Sequence, residues 1–95
     1  MKDSDKAELL DCGGNVSVVR IPHRRHPGIA IQGDTFYSLV CDIRELLVAA
    51  RSGAPVEAVE EGLAYLADTV ESYRRYFEEV LRARGMTLPY VSSDS

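Results

Sequence analysis

A long hydrophobic seam in the second half of this 95-residue chain constrains its fold more than any other feature. The apolar positions alternate by three and four residues, which is the a and d spacing of a helix that packs along one face. The seam comprises Val56, Val59, Leu63, Leu66, Val70, Tyr73, Phe77 and Val80. Pro55 suits a first helical position and Gly85 suits a helix end. The pattern therefore predicts a helix from Pro55 to Arg84, about 45 Å long.

A shorter amphipathic helix precedes the seam. Its apolar residues recur at helical spacing and are Phe36, Leu39, Val40, Ile43, Leu46, Leu47 and Ala50. Asp34 stands just before them, where a carboxylate accepts hydrogen bonds from the first free amides, so it is predicted to be a structural N-cap. The helix is expected to reach Arg51, and the segment Ser52-Gly53-Ala54-Pro55 then breaks it. The two segments together predict a helical hairpin with a long second arm.

The first third of the chain has the composition of short β-strands. Apolar or β-branched runs occupy residues 7–11, 16–21 and 28–32. The gaps between them are too short for parallel crossovers, so an antiparallel arrangement is expected. The predicted fold is therefore α+β, with a small antiparallel sheet of two or three strands followed by the hairpin. We expect one domain over residues 7–90, with flexible ends at residues 1–6 and 91–95.

The long helix extends further than one small domain is expected to cover. A compact domain of this size has a diameter of roughly 32 Å, and the first helix spans only about 25 Å of the seam. Leaving a large side chain in water forfeits roughly 1.5–3 kcal/mol. Val70, Tyr73, Phe77 and Val80 are therefore predicted to form the interface of a homodimer. The alternatives are a kink at Gly62, or a C-terminal segment, Leu88–Tyr90, that folds back over the exposed end.

Charge and hydropathy exclude several classes of protein. The net charge is −4, which argues against a nucleic-acid binder because such proteins usually carry a basic field. No apolar stretch approaches the ~20 residues of a membrane span. The first ten residues lack the apolar core of a secretory signal. A cytoplasmic protein that keeps Cys12 and Cys41 reduced is therefore expected.

One loop is locally basic in this acidic chain. It lies between Pro22 and Pro27, and the candidate binding residues in and beside it are Arg20, His23, Arg24, Arg25 and His26. Arginine side chains suit carboxylate or phosphate groups, so the loop is predicted to bind an anion or an acidic partner surface. The alternative is a solvated loop whose arginines pair with the acidic beginning of the second helix.

No group of residues predicts catalysis, a metal or a cofactor. Cys12 and Cys41 belong to no closely spaced cysteine pair of the kind found in zinc sites. Gln32-Gly33-Asp34-Thr35 lacks the lysine and further glycines of a phosphate-binding loop. We therefore expect a protein that is not an enzyme and has no cofactor, with a small hydrolase or transferase around Cys41 or His23 as the alternative.

Two resemblances can be read from the same central segment. The run RRHPGIAIQGDT at residues 24–35 and the ending GMTLPY at residues 85–90 resemble an uncharacterised family of short bacterial proteins, with His26 where that family has an aromatic residue. This resemblance spans residues 7–90 and implies one complete domain with no known activity. Residues 27–35 are also similar to HicB-type antitoxins. Those proteins continue into further strands and a DNA-binding tail, whereas this chain continues into the long helix.

These features together predict a non-catalytic interaction module. It is expected to self-associate as a dimer and to present the basic loop to a protein partner, in the manner of an immunity protein or antitoxin. The alternative function is a small-molecule or anion-binding regulator that uses the same arginines and histidines.

Overall fold

The computed structural model describes residues 6–91 and has the predicted α+β fold. Strands β1 (Glu8–Gly13), β2 (Val16–Arg20) and β3 (Gly28–Ile31) form an antiparallel sheet in the order β1-β2-β3. Helices α1 (Gly33–Arg51) and α2 (Val56–Ala83) follow. Most of the predicted flexible ends, residues 1–5 and 92–95, lie outside the described residues.

The chain divides into two compact units, and α2 contributes to both. Among the described residues, 6–31 and 74–91 form one, which we call the sheet unit. Residues 32–73 form the other, which we call the hairpin unit. In the sheet unit, β1 and β2 are joined by a tight turn in which Gly14 has a φ of +84°. Such a φ favours glycine because it has no Cβ.

The core of the sheet unit joins the sheet to the last turns of α2. Leu10, Val18, Phe77 and Leu81 are buried together. Leu10 lies at a bulge, since the β1–β2 register shifts between Leu9 and Asp11. The partly buried residues around this core are Tyr76, Val80, Met86 and Leu88. The core therefore connects strands at the beginning of the chain with a helix near its end.

The packing of this core contradicts the prediction that Phe77 and Val80, near the C-terminal end of the seam, form a dimer interface. Phe77 is only 7% exposed and Val80 packs against the same core, so the protein's own sheet and C-terminal segment cover them. Leu88 packs there too, so the predicted alternative, in which the segment 88–90 folds back over this end, is confirmed. Helix α2 continues through Gly62 without a break.

Backbone hydrogen bonds define the end of α2. Gly85 has a φ of +67°, and its N–H donates to the Arg82 carbonyl at 3.0 Å. The Met86 N–H donates to the Leu81 carbonyl at 2.8 Å. These two bonds form a Schellman motif, in which the residue after the glycine folds back on the last turn. The chain then turns back towards the core, and the helix ends beside Gly85 as the sequence predicted.

A buried carboxylate connects α2 to the C-terminal segment. Glu78 is 2% exposed and accepts hydrogen bonds from Arg74 at 3.0 Å, Arg82 at 3.2 Å and the Tyr90 hydroxyl at 2.9 Å. Burial alone would raise the pKa of Glu78, but the Tyr90 hydrogen bond and the two arginines outweigh it, so the pKa is lowered. Glu78 is therefore ionised in the folded protein at neutral pH.

Tyr76 makes a second long-range connection. Its hydroxyl donates to a carboxylate oxygen of Asp11 at 2.6 Å. Burial and this hydrogen bond raise the pKa of Tyr76 to about 12. A Cβ placed on Gly13 would lie 2.5 Å from the Tyr76 Cζ and 2.8 Å from the Val16 carbonyl oxygen. Gly13 thus lets the ring lie against the end of β1.

We predict that Glu78 contributes to the loss of stability in acid. Because its pKa is lower in the folded state, the unfolded state takes up the proton first, near pH 4.5, and stability falls as the pH drops through the folded value. The free energy of unfolding of Glu78→Gln should therefore fall less than that of the wild type as the pH is lowered. Urea unfolding between neutral and acid pH measures this difference. The exposed neighbour Glu79, changed to Gln, is the control, and identical pH profiles for the two variants would contradict the prediction.

We predict that Gly13→Ala destabilises the protein. The added methyl group overlaps the Tyr76 ring and the backbone, and overpacking of this kind costs about 1–3 kcal/mol. Chemical denaturation measures the change in the free energy of unfolding. Gly28→Ala is the matched control, because a Cβ there meets nothing within 4 Å. Equal stability of the two variants would show that the Tyr76 contact is not rigid.

Candidate interaction surfaces

The basic loop begins with a defined turn. The Arg24 N–H donates to the Ile21 carbonyl at 3.2 Å, with Pro22 and His23 between them. His23 has a φ of +67°. Proline at the second position and a positive φ at the third are typical of a type II turn. The turn fixes the direction in which the chain leaves β2, and buried Pro27 anchors it before β3.

The predicted loop residues are all exposed. His23, Arg24, Arg25 and His26 have no side-chain hydrogen bond or ion pair with any residue in the described range. Arg20, at the end of β2, lies 3.8 Å from the Glu8 carboxylate, and both side chains are at least half exposed. Exposed pairs of this kind contribute little to stability. The loop therefore presents cationic groups that are not neutralised within the described chain.

A shallow concavity adjoins this loop. It is lined by Lys6, Glu8, Arg20, Ile21, Pro22, His23 and Arg24. Three of these side chains are cationic at neutral pH and one is anionic, so the concavity favours negatively charged ligands. The concavity brings together three of the predicted residues, Arg20, His23 and Arg24, but not Arg25 and His26, and it adds Lys6 and Glu8, which were not predicted.

Asp34 does not have the predicted role of N-cap. Helix α1 begins at Gly33, and its N-cap is Gln32, whose side chain makes no capping bond. The Gln32 backbone is extended, and its carbonyl accepts the first helical bond, from Phe36, at 2.9 Å. Asp34 instead lies in the first turn, where its carboxylate accepts from the Thr35 N–H at 2.8 Å. It still favours the helix by placing negative charge at the N-terminal end of the dipole.

Gly62 allows α1 and α2 to approach closely in the hairpin unit. The Leu46 side chain occupies the space that a Cβ on Gly62 would need. A small residue facing a large one lets neighbouring helices interdigitate. Gly62 is therefore a packing residue of the hairpin, which explains a glycine in the interior of an unbroken helix.

An apolar groove runs along the same hairpin. Its lining is Ile43, Leu46, Leu47, Ala50, Val59, Leu63 and Leu66. Ile43 is 54% exposed and Leu63 is 51% exposed, and no residue of α1 is fully buried. Further exposed apolar residues follow at seven-residue spacing on each helix. We call the exposed set Phe36, Ile43, Leu47, Val56, Leu63 and Val70 the hairpin face.

The predicted interface residues therefore have different environments. Val70 is about half exposed and belongs to the hairpin face. Tyr73 is half-buried. Phe77 and Val80 belong to the core of the sheet unit. The α1 part of the face was not predicted as an interface, although residues 36, 43 and 47 belong to the apolar stripe of α1 in the sequence.

The described chain shows no arrangement typical of a metal site. Cys12 is exposed and Cys41 is half-buried. Within residues 6–91, no three or more His, Cys, Asp or Glu side chains are grouped so that they could hold a metal ion. No helix in that range is both long enough and apolar enough to cross a membrane.

Comparison with protein families gives one match. A model of a family of unknown function, DUF6959, matches residues 1–90. Searches of curated proteins and of solved structures found no match. Because the family model covers nearly the whole chain, the protein belongs to DUF6959, a family of unknown function.

Proposed function

We propose that this protein is a non-catalytic interaction module that forms a homodimer through the hairpin face. The observation that carries the proposal is the groove between α1 and α2, whose lining is entirely apolar and partly open to solvent. Soluble monomers rarely expose a large contiguous apolar surface, and such surfaces usually mark interaction sites. This interface lies in the hairpin unit, whereas the sequence predicted an interface that included Phe77 and Val80.

A second copy is the occupant that suits this face. Two hairpins can pack their grooves together as a four-helix bundle, which buries a and d residues of all four helices. Full burial of such side chains contributes roughly 1.5–3 kcal/mol each, so those already half-buried gain on the order of 1 kcal/mol. Six of them on each copy give about 12 kcal/mol in total, which is comparable with the roughly 4–15 kcal/mol lost on association.

The charges of the hairpin unit oppose this association at long range. Residues 32–73 contain eight acidic and two basic side chains, and none of them lines the groove. Like charges at the rim repel, and salt screens this repulsion within a Debye length of about 8–10 Å. Self-association through an apolar groove should therefore become stronger as salt is added.

We predict that Leu63→Glu converts the dimer into a monomer. A carboxylate in the groove would have to be desolvated on association, which strongly disfavours the dimer. Light scattering after size exclusion measures the mass, and circular dichroism checks that the helices remain. Val48→Glu is the matched control, because Val48 on α1 is also exposed (63%, against 51% for Leu63) but does not line the groove. A wild-type protein that stays monomeric at high concentration and high salt would refute self-association.

The basic loop is the second part of the proposed module and binds a protein partner. This is supported by the exposed Arg24 and Arg25, which have no ionic partner in the described chain. The similarity of residues 27–35 to HicB-type antitoxins favours a neutralising role of the immunity or antitoxin kind, in the cytoplasm. The net charge of −4 weighs against nucleic acid as the partner.

A second candidate function uses the concavity beside the loop. Its excess of cationic side chains favours a regulator that binds a phosphate or carboxylate compound. We predict that such a compound, at a hundred times its Kd, stabilises the protein by about 2.7 kcal/mol. Thermal unfolding with phosphates, nucleotides and carboxylates measures this effect, and Arg24→Ala should abolish it. Unchanged melting with every class of compound would eliminate this candidate.

A further inference from the structure

The two edges of the sheet differ in how they resist pairing with another strand. The outer edge of β1 carries the charged residues Glu8 and Asp11 and a bulge between Leu9 and Asp11. Charges and bulges are the usual devices that prevent edge strands from pairing. β3 (Gly28–Ile31) has neither, since it contains no charged residue and pairs with β2 in an unbroken register. β3 is therefore the edge that can accept another strand.

The register shows which backbone groups of β3 are available. Gly13 and Val16 close the two-residue turn between β1 and β2, so Val16 directs its backbone groups towards β1. Val16 lies opposite Ile31 in the β2–β3 pair. Backbone groups alternate in direction along an antiparallel strand, so those of Ile29 and Ile31 face away from β2. Within residues 6–91, no other strand pairs with this edge.

The basic loop specifies the direction of an added strand. Arg25 and His26 lie just before Pro27 and β3, whereas Arg24 lines the concavity with Glu8 of β1. A strand that pairs antiparallel to β3 ends beside the beginning of β3, so its C-terminal end lies next to Arg25. Carboxylates at that end would meet the Arg25 guanidinium, which has no ionic partner among the described residues. A parallel strand would bring its N-terminal end to the same place and gain nothing from this charge.

We propose that β3 and the basic loop together bind an extended segment of a partner protein by strand addition. The segment runs antiparallel to β3 and has carboxylates at its C-terminal end. Main-chain hydrogen bonds to Ile29 and Ile31 provide the pairing, and Arg25 selects the charge. Four residues offer few main-chain bonds, so the carboxylate contact supplies much of the affinity. The inference rests on the proposed function, since it identifies the chemistry of the partner that the loop binds.

Selection from a library of displayed random twelve-residue peptides tests this inference on the full chain. We expect enriched peptides with alternating β-branched residues followed by Asp or Glu towards the C-terminal end. Synthetic peptides made with acidic side chains and an amidated end, or with neutral side chains and a free carboxylate, then distinguish the two sources of negative charge. Failure to enrich any peptide, or enrichment without carboxylates, would overturn the proposal.

Variants locate the bound peptide. The charge reversal Arg25→Glu should weaken binding at least tenfold, because it removes charge-assisted hydrogen bonds and adds repulsion. Ile29→Pro removes an outward N–H and should also weaken binding, with thermal unfolding to confirm that the sheet is retained. The loop variant stays informative if Ile29→Pro fails to fold. Peptide binding that survives the charge reversal would refute the site.

The same measurements separate this inference from self-association. Leu63→Glu lies in the hairpin face and should bind peptide as the wild type does, whether or not it dimerises. A wild-type dimer that enriches no peptide would overturn strand addition alone. If the Ile29 and Ile31 amides instead become protected from hydrogen exchange as the protein concentration rises, a second copy occupies the edge and the proposal is wrong.

Discussion

The contact between the last turns of α2 and the sheet is the interaction on which the rest of the sheet unit depends. Leu81 and Val18 are fully buried in it, although they are far apart in the sequence. The apolar face of a sheet must be buried against another element, and α2 covers the face that carries Leu10 and Val18. Arg84 strengthens the contact by donating to the Leu10 carbonyl, and Glu78 binds Tyr90 on the segment that follows.

The order and type of the elements could be predicted from the sequence, because most of them have a strong local signal. Strands β2 and β3 contain β-branched residues, and the Schellman ending follows from Gly85, whereas β1 has no β-branched residue and its apolar pair is Leu9 and Leu10. The covering of Phe77 could not be predicted in the same way. Its spacing shows that it shares a face with Val70, but spacing does not reveal which part of the chain lies against that face. Val70 and Phe77 belong to one seam and have different environments in the structure.

The candidate surfaces were predictable to different degrees. The basic loop was evident from composition. Its turn depends on a positive φ at His23, which could not be predicted because a positive φ is uncommon for residues other than glycine. Asp34 looked like a cap because helix boundaries are uncertain by one or two residues. The open edge of β3 depends on strand order and on the bulge in β1, and both are properties of pairing rather than of local sequence.

The two tyrosine–carboxylate pairs give the protein an internal optical signal. The chain has five tyrosines and no tryptophan, so its ultraviolet emission comes from phenol rings alone. Tyr76 and Tyr90 each donate to a carboxylate across a long stretch of sequence, and a phenol bonded in this way emits weakly. Separation of the strands and the C-terminal segment from α2 releases both rings. Brighter tyrosine fluorescence therefore marks the opening of the sheet unit and needs no attached dye.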